Sequence, residues 1–342
     1  MGTVTLKDLA KELNLSINTV SRALRDMPDI GKETKEIVRK AAESMNYRTN
    51  LNAAALRTNL SKTIGAVVSD ISNPVFAGMI KGISVKCREA GYTMLLANTS
   101  ENYDEEQEAV KSMLRHKVDG IILFPSMKGK SPVQELLAKK IPFILVGRYF
   151  SDLSTNVVIN DDVLGGNIAA EHLYGRGHRS FLYIAGSLQI SSSRERLEGF
   201  RQYLETKGLG PECITVYETD ATWRGGYTTM KNIISETGGG AQGLRKTATA
   251  IFAFSDFVAI GVLKALRDSD IKVPEDMALI GYDDIDFCEL TVPELTTVDL
   301  SKFRLGRRAT ELLIQEINSG VSKERRFRYM ILEPRLIVRK ST

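Results

Sequence analysis

The sequence predicts a small all-α domain joined to an α/β core of two doubly wound parallel-sheet lobes. Three observations lead there. Residues 5–25 hold two short amphipathic stretches around a polar joint, and from residue 63 apolar runs alternate with helical patterns in two successive series. The third is charge. Residues 1–62 carry 11 Lys/Arg against 7 Asp/Glu, while the remaining 280 carry 35 of each. The whole positive excess sits at one end, as expected where that end meets a polyanion.

In the first segment Leu6, Leu9, Ala10 and Leu13 share one helical face, and Val20 and Leu24 make the matching face of a second helix. Ala10 is small enough to let the two helices cross closely. Thr5 and Asp8 have capping-box spacing, the joint covers residues 14–16, and Ser16 can cap the second helix. This leaves Ile17, Asn18, Ser21, Arg22 and Arg25 pointing outward, with Thr19 beside them. Such residues suit a helix entering a major groove, since Asn pairs with adenine edges, Arg with guanine edges and Ser with phosphates. A third helix is predicted over 32–45, with Ile37, Val38 and Ala41 closing a three-helix core. After Tyr47, residues 48–62 have helix-forming residues at their centre but little apolar surface, which reads as a linker that orders on binding. The segment as a whole is a candidate helix-turn-helix DNA-binding domain.

Strands are predicted at 64–68, 93–97, 120–124 and 143–146, with helices at 76–89, 105–115 and 133–139 between them. A second series follows, with strands at 181–185, 214–217, 250–254 and 278–281 and helices at 194–207, 226–236 and 257–268. Continuous apolar strands separated by helices mean parallel sheets covered on both faces. In such sheets ligands bind beyond the carboxyl ends of the strands, which places a site in the cleft between the lobes. The 238–243 stretch, rich in glycine, is expected to be a surface loop.

Several function classes lose support here. No apolar run approaches the roughly 20 residues of a membrane span. The polar N-terminus gives no signal peptide, so a cytoplasmic location is expected. Cys87, Cys213 and Cys288 are odd in number and far apart, which fits a reducing compartment rather than a disulfide framework. His116, His172 and His178 are scattered, so neither a metal nor a cofactor is expected. Gly129-Lys130-Ser131 imitates the end of a phosphate-binding loop, but Phe124 stands where its first glycine belongs. No catalytic cluster sits on the strand ends, so an enzyme is not expected.

The polar residues just past the apolar strands are the cleft candidates: Asp70 and Asn73 with Phe76, Arg148, Ser192 and Arg196, Asp256, and Asp283. Trp223, the only tryptophan, lies in a polar loop nearby. Carboxylates, amides and arginines around aromatic faces suit polyhydroxylated ligands, whose hydroxyls both donate and accept and whose ring C–H groups stack.

The runs Val4-Thr-Leu-Lys-Asp-Leu-Ala and Leu15-Ser-Ile-Asn-Thr-Val-Ser-Arg-Ala-Leu closely resemble the headpiece of LacI/GalR-family transcriptional repressors. The likeness continues through Ser69-Asp-Ile-Ser-Asn-Pro-Val-Phe76, Arg196-Leu-Glu-Gly-Phe200 and Val273-Pro-Glu-Asp-Met-Ala-Leu-Ile-Gly-Tyr-Asp-Asp284, which match the periplasmic-binding-protein-like core of that family. The resemblance implies a headpiece over 1–46, a hinge over 47–62, a first lobe of 63–161 plus 292–322, and a second lobe of 162–291 plus 323–342. It implies that Thr5, Ser16, Ile17, Asn18, Thr19, Ser21, Arg22, Tyr47, Asn50, Leu56 and Arg57 meet double-stranded operator DNA. Leu56 matches the hinge leucine that wedges between base pairs. Thr49 stands where many members have proline, so Thr49 or Asn50 has to start the hinge helix. The resemblance further implies a homodimer on a pseudo-palindromic operator, and an effector held by Arg196 and Asp283. Arg148 matches sugar-responsive members better than the purine-responsive one, whereas Ser255 replaces an asparagine common in sugar-responsive members.

The expected function is therefore a repressor governed by a small cleft ligand, a carbohydrate. The alternatives are a catabolite-type regulator governed by a protein partner, whose motif is missing from 299–306, and a sugar receptor or enzyme.

Overall fold

The computed structural model describes residues 4–47, 60–319 and 327–342. The chain divides into two compact units, Met1–Ser61 and Lys62–Thr342.

The described residues of the first unit form three helices: α1 Leu6–Glu12, α2 Ile17–Leu24 and α3 Lys32–Ser44. The expected caps form. Thr5 Oγ1 accepts the Asp8 N–H at 3.3 Å, and Asp8 accepts the Thr5 N–H at 2.8 Å. Ser16 Oγ accepts the Thr19 N–H at 3.0 Å. The turn between α1 and α2 passes through Asn14 at φ +50°, a left-handed conformation that asparagine tolerates. Leu9, Ala10, Val20, Ala23, Val38 and Ala42 form the core, with Leu6, Leu13, Leu24, Ala41 and Tyr47 packed against it. The expected face of α3 is shifted. Val38 and Ala42, one turn apart, are buried, while Ile37 is 48% exposed because it lies about 100° round the helix.

The second unit begins with β1 Thr63–Val68, α4 Pro74–Glu89, β2 Thr93–Asn98, α5 Tyr103–Arg115, β3 Gly120–Leu123, α6 Ser131–Ala138, β4 Phe143–Val146 and β5 Val157–Asn160. Then come α7 Asp162–Gly175, β6 Phe181–Ala185, α8 Ser191–Thr206, β7 Ile214–Glu218, α9 Trp223–Glu236, α10 Gly240–Thr247, β8 Ala250–Ala253, α11 Asp256–Arg267 and β9 Ala278–Ile280. The chain ends with β10 Thr297–Asp299, α12 Lys302–Ser319, β11 Tyr329–Leu332 and β12 Arg335–Ile337. Two parallel sheets result, ordered β11-β5-β4-β3-β1-β2 and β7-β6-β8-β9. The central strands β1, β3, β4, β6 and β8 are buried almost throughout, which accounts for their unbroken apolar runs. Among the described residues no helix is long and apolar enough to cross a membrane.

Two features correct the sequence expectations. Residues 240–247 form α10 rather than lying wholly in a loop: Gly238, Gly239 and Gly240 turn the chain at positive φ, and Leu244 then buries one helix face. The lobe crossings also move. β10 pairs antiparallel with β12 beside the second lobe, while α12 packs on α4 and on β3, β4 and β5 of the first. The second crossing therefore falls near residue 300, not 291. β11 then extends the first sheet along β5, with the Val157 N–H donating to Arg328 O and the Asp161 N–H to Leu332 O, both at 2.9 Å. The third crossing follows Leu332 instead of lying near 322. These edge pairings are made by the backbone, and with Tyr329 and Ile331 each more than half exposed, hydropathy gave no sign of them.

Helices α7 and α8 cross at glycines on both sides. A Cβ on Gly199 would lie 1.9 Å from Val163 O, and one on Gly166 2.1 Å from Arg196 O. Gly199→Ala should therefore destabilise the core by about 1–3 kcal/mol or more through overpacking. Gly175→Ala, whose new methyl would meet nothing within 4 Å, should leave stability unchanged or improved. Thermal melting of both variants checks this, and equal melting temperatures would refute close packing at that crossing.

Candidate functional site

The outward face of α2 holds Ile17, 49% exposed, with Asn18 and, just past the helix, Arg25 also exposed and Thr19 half-buried. Ser21 does not join them. It is only 8% exposed, because α2 packs against both α1 and α3 and so loses a second flank to the core. Thr5 and Ser16 spend their hydroxyls on the caps described above. Tyr47 is half-buried, and its N–H donates to Ala42 O at 2.8 Å. Arg22 is gripped by Asp29, a residue that sequence reasoning missed: Nε donates to Oδ2 at 2.8 Å and Nη2 lies 2.5 Å from Oδ1. Asn50, Leu56 and Arg57 fall outside the described residues.

The second unit has a cavity of about 240 Å³ between its lobes. Asn73, Phe76, Arg148, Ser192, Arg196 and Asp283 all line it, as their strand-end positions predict. Asn73 caps α4 by accepting the Val75 N–H at 3.2 Å. Phe76 meets Phe124 edge-to-face at 5.6 Å and supplies an apolar wall. Arg148 is forked by Glu101, with Nη1 and Nη2 donating at 2.8 and 2.7 Å, and Nη1 also donates to Pro125 O. Glu101 was missed, although it follows β2 and so obeys the same strand-end rule.

Arg196 belongs to the second turn of α8 and is buried. Its Nε donates to Asp162 at 2.8 Å, its Nη1 to Phe254 O at 2.5 Å, and its guanidinium lies 3.7 Å from the centre of the Tyr282 ring. Burial by itself would lower its pKa, but Asp162 and Asp283 outweigh that and raise it. Asp283 is 3% exposed and stands at φ +113°, a strained backbone position. Its carboxylate lies 3.5 Å from Arg196 Nη1, and burial holds it well above the ordinary carboxylate range.

Two candidates lie elsewhere. Trp223 opens α9 but does not line the cavity; Asp220, Ala221 and Thr222 just before it do. Asp256 is fully buried and turned into the protein. It accepts the Thr297 hydroxyl at 2.6 Å and the Ile285 N–H at 2.9 Å, so it ties the loop after β9 to β10. Being the first residue of α11, it projects back over that loop rather than into the cleft.

Burial pushes Asp256 up to about 6. Between about pH 4 and that value the folded chain holds a proton that the unfolded chain has released. Its contribution to stability therefore falls as pH rises across this window. Denaturant unfolding at both ends should show a smaller fall for Asp256→Asn than for the parent protein. An identical fall would show that Asp256 is already ionised there.

Comparison with known proteins accounts for both units. Residues 5–50 match the model of bacterial regulatory proteins of the lacI family, and residues 170–342 that of a periplasmic binding protein-like domain. The HTH-type transcriptional repressor PurR of Actinobacillus pleuropneumoniae serotype 3 (strain JL03) is 30% identical over 339 residues, 98% of each chain. A LacI-family regulator from Enterococcus faecalis V583 with bound ribose is 32% identical, with a TM-score of 0.71, covering 82% of this chain and 98% of that one. The lac repressor dimer bound to operator and the anti-inducer ONPF is 24% identical and shares the fold, with a TM-score of 0.85 and 99% of each chain covered. With a helix-turn-helix ahead of a two-lobed ligand-binding core, and likeness to a repressor along almost its full length, the chain belongs to the LacI family of bacterial transcriptional repressors and is not an enzyme.

Proposed function

We propose that this repressor binds a pseudo-palindromic operator as a homodimer, and that a neutral polyhydroxylated sugar held between its lobes sets its operator affinity. The observation that carries the ligand class is the charge and hydrogen bonding of the cavity. Five carboxylates line it, from Asp70, Glu101, Asp162, Asp220 and Asp283, against the guanidiniums of Arg148 and Arg196. Such a lining offers more hydrogen-bond acceptors than cations and favours a neutral ligand rich in donors. Asp283 is the poised group, since it is buried beside Arg196 with its carboxylate at ion-pair range but outside good hydrogen-bond geometry. Sugar hydroxyls donate to Asp283 and accept from Arg196, while Phe76 and Phe124 cover the ring. Ribose in the Enterococcus faecalis relative supports the same class.

On the DNA side Asn18 and Arg22 read base edges, while Thr5, Ser16, Ile17, Thr19 and Tyr47 position the headpiece on the backbone. Ser21 supports the recognition helix from beneath. The hinge around Asn50, Leu56 and Arg57 enters the minor groove, where a leucine wedge unstacks bases and bends the duplex. Phe287, Leu290 and Val292, respectively 51, 75 and 81% exposed on one loop, supply an apolar surface for pairing two copies. Twofold pairing presents two headpieces to two half-sites. The effector acts by favouring one arrangement of the lobes, and linkage transmits that preference to the operator. Such a repressor works beside the chromosome, in the cytoplasm.

Asp283→Ala should lower sugar affinity by about 2 kcal/mol or more, because ligand donors lose their buried partner. Operator binding without ligand should persist and stop responding to the sugar. Calorimetry against a panel of pentoses, hexoses and purine bases, beside gel shifts on the DNA flanking its own gene, reads both effects. Tight binding of a purine base alone would overturn the sugar reading. Leu56→Ala should weaken operator binding and leave the thermal transition of the free protein in place. A matching loss of stability would make Leu56 a packing residue.

A further inference from the structure

We infer that Asp29 is a positioning residue for base recognition: it grips one edge of the Arg22 guanidinium and leaves the adjoining edge set to fork onto a guanine. This rests on the reading that Arg22 contacts bases. A guanidinium has five N–H groups in a fixed plane. The Asp29 carboxylate takes the Nε–Nη2 edge, with Nε donating to Oδ2 at 2.8 Å and Nη2 2.5 Å from Oδ1. The other three N–H groups, two on Nη1 and one on Nη2, make no hydrogen bond among the described residues and lie along the Nη1–Nη2 edge. That edge is the donor pair that matches guanine O6 and N7 in the major groove. The Arg22 side chain remains 34% exposed and Asp29 49%, so the pair is accessible from solvent.

The loop around Asp29 is built to hold it there. The Met27 N–H donates to Arg22 O at 3.1 Å, the Asp26 N–H to Ala23 O at 3.0 Å and the Ile30 N–H to Met27 O at 3.2 Å. Asp26, the other acid of this loop, is taken by Lys35 at 3.0 Å and Arg39 at 3.4 Å. Arg22 therefore has one carboxylate partner, not two in competition. A long, flexible side chain is thus ordered before DNA arrives, so less freedom is lost when it meets a base.

Asp29 also has the wrong charge for a polyanion, and this separates the two effects it can have. Repulsion from phosphates weakens binding to every duplex alike. Positioning of Arg22 strengthens binding only where a guanine stands opposite. Full-length protein is used to select a consensus from a library of randomised synthetic duplexes, and fluorescence anisotropy then measures affinity for that consensus and its single-base variants. Asp29→Ala should lower discrimination at the one position that Arg22 reads by roughly tenfold, the cost of ordering a free arginine side chain. Affinity for non-specific DNA should rise slightly, the other positions and the thermal transition should stay unchanged, and Asp29→Glu should restore part of the discrimination. A parallel gain on all duplexes would make Asp29 a repulsive charge only. A parallel loss at all positions, with a lower melting temperature, would make it a folding residue. Arg22→Ala distinguishes the failures. If it leaves every base preference intact, the base-reading role of Arg22 falls. If it erases one position that Asp29→Ala preserves, only the positioning role falls.

Discussion

The Arg196 guanidinium is buried where the first lobe hands over to the second, and its neighbours come from three separate segments. Asp162 opens the first helix after the crossing, Phe254 directly follows β8, and Tyr282 and Asp283 follow β9. A cation in this position is tolerable only because two carboxylates, a carbonyl and an aromatic face replace its water. The same contacts fix the geometry of the cavity wall. Removing Asp162, the carboxylate hydrogen-bonded to it, strips the buried cation of its closest counter-charge, a cost of about 3–5 kcal/mol in comparable cases. The stability of the second lobe and the shape of the ligand site therefore rest on the same ion.

The carboxylates around that cation are satisfied unequally. Asp162 takes a direct hydrogen bond from Arg196, and Asp256 is bonded by Thr297 and Ile285. Asp283 is left with a 3.5 Å ion pair and a strained backbone. Unequal satisfaction is how a structural cluster also offers a binding group. Across the cavity Glu101 holds Arg148 in place, so the first lobe likewise presents an arginine already ordered. The lobes also bond directly, with the Tyr149 hydroxyl donating to Glu195 at 2.6 Å and the Tyr149 N–H to Ser191 Oγ at 3.2 Å. A ligand shifts such an arrangement only by the difference in its affinity for the alternatives.

The headpiece solves a smaller version of the same problem. Among the described residues its core is six buried side chains, and its recognition helix has to expose polar groups and still be fixed in direction. Caps at Thr5 and Ser16 define the helix starts, and packing of α2 on two neighbours defines its roll. Arginine is ordered in all three places by acid: Asp29 for Arg22, Glu101 for Arg148 and Asp162 for Arg196.

Most of what depends on local pattern was legible in the sequence, the helix at 240–247 and the exact face of α3 excepted. The helix-turn-helix followed from the spacing of Leu9, Ala10 and Val20 and from two capping residues, and the sheets from apolar runs at strand length. Six cleft residues followed from a single rule, polar groups beyond strand ends. What depends on contacts remote in sequence was not legible. The edge strand β11 pairs with β5 across more than half of the second unit, through backbone groups that leave no mark in side-chain pattern. Asp256 and Asp283 both follow apolar strands, yet one turns inward to Thr297 and the other faces the cavity; only the position of β10 decides between them. Ser21 has the composition of a contact residue and lies buried because α3 covers a flank that α1 alone leaves open. Periodicity determines which face of an element is apolar, and the tertiary structure alone decides what covers the remaining faces.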